Sequence, residues 1–269
     1  MNAHFKRWLT AFIAVPLLIL IIGYGSELIF ALFIAAVITA GIIEYNTMVF
    51  EKDRRTERCL TVVIALLIAA SAFTGDRSFM MATVTLSIPA VLAMRLLRTD
   101  SGGSSLKNTA NIFFGVLFIG VTMSHFILIR MDGCGITWIF FLIVMAFSSD
   151  VAAYYVGRFM GRRKLLPSVS AGKTVEGAAA GIIGCMMACV IFEALFLPGM
   201  GAGHAAAMGF LGSIFGQLGD LSESAVKRTF NVKDSGFLIP GHGGILDRLD
   251  SFIFMAPFVY YYKQFFLII

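Results

Sequence analysis

The chain has 269 residues, of which 58% are hydrophobic and only 14% charged, with a formal net charge of +5 and a pI near 9.1. A soluble domain is roughly a quarter charged, so this composition excludes an ordinary soluble fold. The basic balance follows from membrane topology and anionic lipid, and it calls for no nucleic acid as a partner.

Apolar runs of about 20 residues recur along the chain, each long enough to cross a hydrocarbon core of ~30 Å. A backbone in lipid must satisfy its own hydrogen bonds, so the expected fold is all-α, a polytopic membrane helical bundle. In chain order the spans are expected near 8–24, 27–49, 59–74, 78–97, 109–130, 134–156, 174–197, 204–228 and 245–267, about nine in all. The first follows Lys6 and Arg7 as a signal peptide would, but no small-x-small cleavage site comes after it, so it reads as a retained span. With the N-terminus in the cytoplasm, eighteen Lys and Arg fall on the cytoplasmic side, and three (Arg77, Arg130 and Lys263) on the other. That is the positive-inside bias of a multi-pass protein of the cell's inner (plasma) membrane with its C-terminus outside.

Residues 1–133 read as a lipid-facing scaffold, and residues 134–269 as the catalytic region with a cytoplasm-facing polar site. In the scaffold, Glu44 is the one acidic residue of a span expected to face the interior, paired there with a basic loop residue. Cys59, Cys134, Cys185 and Cys189 have no CxxC spacing and read as small core residues, with neither a zinc site nor a disulfide framework. His4, His125 and His204 read as structural. No internal repeat supports an inverted-repeat transporter.

From residue 148 the character changes. Asp150 lies inside or at the end of an apolar run, on one helical face with Tyr154 and Gly157, and needs a partner wherever it is buried. Gly157 and Gly161 fit a small-xxx-small helix contact as well as a functional role. Arg162, Arg163 and Lys164 follow, then Ser170-Ala171-Gly172-Lys173-Thr174. This is not a P-loop, because Pro167 stands where that pattern needs glycine. Lys173 and the start of the next helix read as an anion site. Arg162 and Arg163 either share it or hold the loop to the cytoplasmic leaflet.

The most charged stretch is 222–251, with Asp220 just ahead of it. On one expected helix Asp220, Ser224 and Lys227 share a face, and Glu223 lies one turn from Lys227. On the last, Asp247 and Asp250 are three apart. Gly241, Gly243 and Gly244 lie between the clusters and suggest tightly turning backbone that something can approach closely. Two carboxylate clusters on two helices form an oxygen-rich site that suits magnesium, one ion or two, better than zinc. With Lys and Arg nearby, such a site fits a phosphate-rich substrate. His242 either donates to a phosphate or caps its turn. A channel or transporter would place polar residues in both leaflets, whereas these charges gather on one side. The bland alternative is an ion-pair network that fixes helix packing.

Ser224-Ala225-Val226-Lys227-Arg228, Lys233-Asp234-Ser235-Gly236, and the run from Pro240-Gly241-His242-Gly243-Gly244 through Asp247-Arg248-Leu249-Asp250 resemble the signature of the CDP-diacylglycerol synthase (phosphatidate cytidylyltransferase) family. A second block over 150–177 is similar to the same family, with Ala171 where the family usually has proline. The first half matches only in hydrophobicity and length. The resemblance implies that CTP and phosphatidic acid become CDP-diacylglycerol and pyrophosphate, with Mg2+ required, in a homodimer. For that reaction the charges themselves suggest metal binding by Asp220 and Asp247 with Glu223 and Asp250 as helpers, and phosphate binding by Lys227, Arg228, Lys233 and Arg248. The resemblance places Asp150, Lys164, Ser170, Lys173, Thr174, Ser224, Asp234, His242, Gly243 and Gly244 against substrate. A phosphate monoester is already ionised near pH 7, so no general base is expected. The lipid's tails stay in the bilayer, so a funnel open to the cytoplasm and laterally to lipid is expected. A CDP-alcohol phosphotransferase is not indicated, because its Asp-Gly-x-x-Ala-Arg opening is missing.

Overall fold

The structure is a computed structural model that describes residues 3–96, 104–236 and 243–267. Its helices are α1 (Ala3–Tyr24), α2 (Glu27–Val49), α3 (Arg55–Phe73), α4 (Arg77–Leu96), α5 (Ser104–Gly115), α6 (Thr122–Met131), α7 (Gly135–Met160), α8 (Val175–Phe196), α9 (Ala202–Thr229) and α10 (Leu246–Phe266). A π-helical stretch, Val116–Val121, joins α5 to α6, so the two run on as one rod. Each expected span therefore falls on a helix.

Six of these, α2, α3, α4, the α5–α6 rod, α7 and α8, are long and apolar enough to cross a membrane among the described residues. Among the described residues α1 adds a shorter apolar stretch, Val15–Tyr24. The helices α9 and α10 carry Asp220, Glu223, Lys227 and Arg228, and Asp247, Arg248 and Asp250, so length and apolarity alone do not make spans of them. Large apolar side chains face outward along the rods, among them Leu32, Leu67, Leu86, Ile183 and Ile191. An outward apolar coat is what lipid requires, and the chain is a helical membrane protein.

To the expected helices the described residues add one short hairpin. β1 (Lys164–Leu166) pairs antiparallel with β2 (Ser170–Thr174), Lys164 opposite Thr174 and Leu166 opposite Ser170. The segment is polar and broken by Pro167 and Gly172, too short for a helix. Pairing with itself satisfies its backbone groups.

The chain divides into two compact units. The first is Met1–Asp132 with Asp234–Arg248, and the second is Gly133–Lys233 with Leu249–Ile269. The segment Asp234–Arg248, placed by the sequence with the C-terminal region, thus clusters with the first unit. In that unit Ile38, Ile42, Tyr45, Ile68 and Ile119 are fully buried, and Arg130 donates to the Gly25 carbonyl at 3.0 Å.

In the second unit Trp138, Phe141, Met145, Cys185, Cys189 and Met255 form the core. There Lys263 is buried, donates to the Gly133 carbonyl at 2.8 Å and lies over the Trp138 ring. The cysteines split. Cys185 and Cys189 are buried as expected, whereas Cys59 and Cys134 are exposed, because each lies by a helix start outside the packed faces. His125 is buried against the Val121 carbonyl, and His204 bonds the Tyr262 hydroxyl, both structural roles.

Candidate active site

In the second unit the end of α7 and the start of α8 approach closely. A side chain at Gly177 would meet the Ala153 carbonyl at 2.8 Å and Gly157 Cα at 3.1 Å, so Gly157 serves as a helix contact. Thr174 caps α8, its hydroxyl accepting the Gly177 N–H at 3.1 Å. Glu176, in the first turn, accepts the N–H groups of Arg162 at 3.0 Å and Arg163 at 3.2 Å. The cap and Glu176 together hold both ends of the hairpin, and leave Lys173 two residues before the helix.

The Lys173 ammonium is ion-paired with Asp220 on α9. Asp150 on α7 lies close enough to interact with both charges, and the Ser251 side chain bonds it. Asp250 on α10 interacts with Asp220, Asp150 and Lys173, and accepts its neighbour's N–H, that of Ser251, at 2.7 Å. Three helices and the hairpin therefore bring three carboxylates around one ammonium. Backbone contact sets part of this geometry, because a side chain at Gly219 would run into the Asp250 carbonyl. Deeper along α7 and α9, the Ser149 and Ser213 hydroxyls bond at 2.7 Å, and Gln217 donates to Ser213 and to the Ala178 carbonyl, each at 3.1 Å.

The neighbouring charges on α9 have partners of their own. Glu223 is fully buried and ion-paired with Lys227 at 2.5 Å. Arg228 donates to the Val169 carbonyl at 3.4 Å, linking α9 to the hairpin turn, and to Val232 at 3.5 Å. The Ser224 hydroxyl reaches Asp220 only at the limit of a hydrogen bond, 3.5 Å. Lys164 is exposed on β1, Ser170 half-buried on β2, and Lys233 exposed after α9.

In the first unit the loop before α10 is held by two carboxylates. Asp247 accepts the N–H of Gly244 at 2.9 Å and that of Ser235 at 3.1 Å. Gly243 sits at φ +82°, a conformation that suits glycine, and its missing side chain leaves room for the Asp247 carboxylate. Asp234 and Arg248 are exposed, and Gly241 and His242 lie outside the described residues.

Glu44 corrects its expectation. It is buried at 3% exposure, and its acceptor bonds come from the Ser235 hydroxyl, Ile245 N–H and Leu246 N–H, each at 3.0 Å, in place of a basic loop residue. The first amides of a helix have no intrahelical acceptor and carry its positive dipole end, so they suit a buried carboxylate. The sequence signal was one acid in an apolar run, which marks a buried partner without naming it.

Among the described residues no three Asp, Glu, His or Cys side chains stand at metal-coordinating spacing. The donor chemistry of Asp150, Asp220 and Asp250 nonetheless fits a hard divalent cation. All are carboxylates, and their charge exceeds that of the Lys173 ammonium among them. Asp247, expected to grip a cation with Asp220, belongs to the first unit, with its carboxylate on the loop amides.

Residues 5–266 match the model of a cytidylyltransferase family. Over 151 residues the chain is 46% identical to a phosphatidate cytidylyltransferase of Bacillus subtilis (strain 168), covering 56% of each chain. The chain thus spans a little over half the length of that relative. It is 32% identical over 254 residues to a phosphatidate cytidylyltransferase of Staphylococcus haemolyticus (strain JCSC1435), covering 93% of this chain and 95% of the relative. It is also 32% identical over 264 residues to the uncharacterized protein YnbB of Escherichia coli (strain K12), covering 98% of this chain and 72% of that one.

Proposed function

Because the chain belongs to the cytidylyltransferase family, we propose that it joins the cytidylyl group of CTP to phosphatidic acid, giving CDP-diacylglycerol and pyrophosphate for phospholipid biosynthesis. One observation carries this reading: Asp150, Asp220 and Asp250 gather around Lys173 at the start of α8, beside a basic hairpin. Excess carboxylate for a cation, and fixed positive charge for phosphates, are what a nucleoside triphosphate needs in one place. The names of the Bacillus and Staphylococcus relatives support the same substrates.

A phosphate oxygen of the lipid attacks the α-phosphorus of CTP, the bond to the β-phosphate oxygen breaks, and pyrophosphate leaves. The nucleophile arrives ionised, so no side chain has to take its proton. Asp220 and Asp250, with Asp150, would hold Mg2+, one ion or two, which when bound neutralises charge on the triphosphate. Lys173 and the first amides of α8 offer positive charge to a phosphate. Lys227, steered by buried Glu223, and Arg228, Lys233, Arg248 and Lys164 supply the rest. Asp247 shapes the loop before α10 and keeps lone pairs beyond its amide bonds for a metal or substrate contact. Ser170, Thr174, Ser224, Asp234, His242, Gly243 and Gly244 complete the proposed substrate contacts.

The proposed setting is the cell's inner membrane, with nine spans, the N-terminus and the site in the cytoplasm, and the lipid entering sideways. Two contacts support this arrangement. Arg130 meets Gly25, and Lys263 meets Gly133, pairs that the nine-span reading puts on the outer side. The proposed assembly is a homodimer, measurable by mass photometry in nanodiscs.

The test is pyrophosphate release by the purified protein in nanodiscs, with CTP plus phosphatidate against CTP alone. Release that needs phosphatidate, with CDP-diacylglycerol formed in equal amount, is the expected result. Release indifferent to phosphatidate, or none, overturns the reading.

A further inference from the structure

We propose that Glu44, on a helix of the scaffold half, is a positioning residue for the proposed reaction, fixing Ser235 and the residues that open α10. This rests on the activity proposed above.

The geometry lies wholly within the first unit. The Glu44 carboxylate accepts Ile245 N–H on one oxygen, and Leu246 N–H and the Ser235 hydroxyl on the other. Ser235 is held a second time, its own N–H donating to Asp247. Asp247 in turn takes Gly244 N–H. Glu44 and Asp247 thus clamp the two ends of the loop, around 235 and around 244–246, from opposite partners. Asp247 and Arg248 both sit in the turn whose leading amides Glu44 holds.

The loop is shaped to admit that carboxylate. A methyl group at Gly236 would meet Glu44 Oε1 at 2.5 Å, and one at Gly244 would meet Oε2 at 2.5 Å. An ionised carboxylate is acceptor-only, and here it faces three donors. A glutamine would turn its NH2 group towards one of them. A buried acid in a membrane helix is costly unless it serves a partner, and these amides are that partner. Small displacements of catalytic groups cost rate more than affinity.

The experiment uses the full chain in phosphatidate-containing nanodiscs with Mg2+, as wild type, Glu44→Gln, Glu44→Ala and Ser235→Ala. Hydrogen–deuterium exchange is followed in peptides covering 243–250, with peptides of α7 and α8 as the control, and kcat and KM for CTP are measured. Exchange at Ile245 and Leu246 is expected to quicken from wild type through Glu44→Gln to Glu44→Ala, with the control peptides unchanged. In Glu44→Ala, kcat is expected to fall on the order of tenfold or more, with KM for CTP within about threefold and Glu44→Gln in between. Unchanged exchange overturns the proposal, and so does faster exchange with kcat intact. Should Glu44→Ala fail to fold, Glu44→Gln and Ser235→Ala decide it by the same readouts. A wild type that forms no CDP-diacylglycerol sinks the activity reading alone, and the exchange data still decide the anchoring.

Discussion

Lys173 and Asp220 form an ion pair that joins the second strand of the hairpin to α9. Asp150 and Asp250 lie near enough to feel both of these charges. In the proposed reaction a metal ion held by these carboxylates would bring its charge to the same place, and the lysine would compete with it for their oxygens.

Replacing Lys173 by Gln is expected to lower kcat on the order of a hundredfold, by removing a fixed charge from the developing transition state. The same change removes the competing ammonium, so half-saturation by Mg2+ is expected at a lower concentration. A magnesium titration of the variant checks both. An unchanged Mg2+ requirement would show that Lys173 and the metal do not share ligands.

Asp247 separates shape from charge. Asp247→Asn keeps an oxygen for the loop amides, whereas Asp247→Ala releases Gly244 and Ser235. Both are expected to abolish CDP-diacylglycerol synthesis, while only the alanine variant speeds exchange at those amides. Near-normal turnover by Asp247→Asn would refute a charge role for this residue.

Gly219→Ala puts a methyl group against the Asp250 carbonyl, so α9 and α10 must part. The expected cost is about 1–3 kcal/mol, seen as a lower Tm in nanodiscs, together with loss of activity. Gly203→Ala, in the first turn of α9 with nothing within 4 Å of the added atom, is the control. It is expected to leave Tm unchanged or raise it slightly.

Cysteine exposure tests the topology. A membrane-impermeant maleimide on intact cells is expected to label Cys134, exposed before α7, and to spare Cys59 until the membrane is opened. Cys185 and Cys189 are buried and are expected to stay unlabelled until denaturation. Labelling of Cys59 first would invert the orientation.

The helices were legible because each apolar run has to bury or coat itself in lipid along its whole length. Lys173, Asp150, Asp220 and Asp250 were legible because charges in such company need a reason. The hairpin was not, since strands as short as Lys164–Leu166 have no periodicity to read. Glu44 was visible as an anomaly, but its partners are amides near residue 245, which no side-chain pattern announces. Glu223 and Asp247 looked like metal ligands by type and spacing. Their ties to Lys227 and to the loop amides come from burial and backbone geometry, which the residue types alone do not encode.

The hairpin runs straight into the Thr174 cap, with Glu176 fastening its other end. No slack chain lies between Lys173 and α8. This lysine travels only as far as its own aliphatic stem allows, and the phosphate it is proposed to serve would have to be delivered to a nearly stationary charge. Under the proposed function, selection among nucleotides at this point would rest on which triphosphate fits the distance.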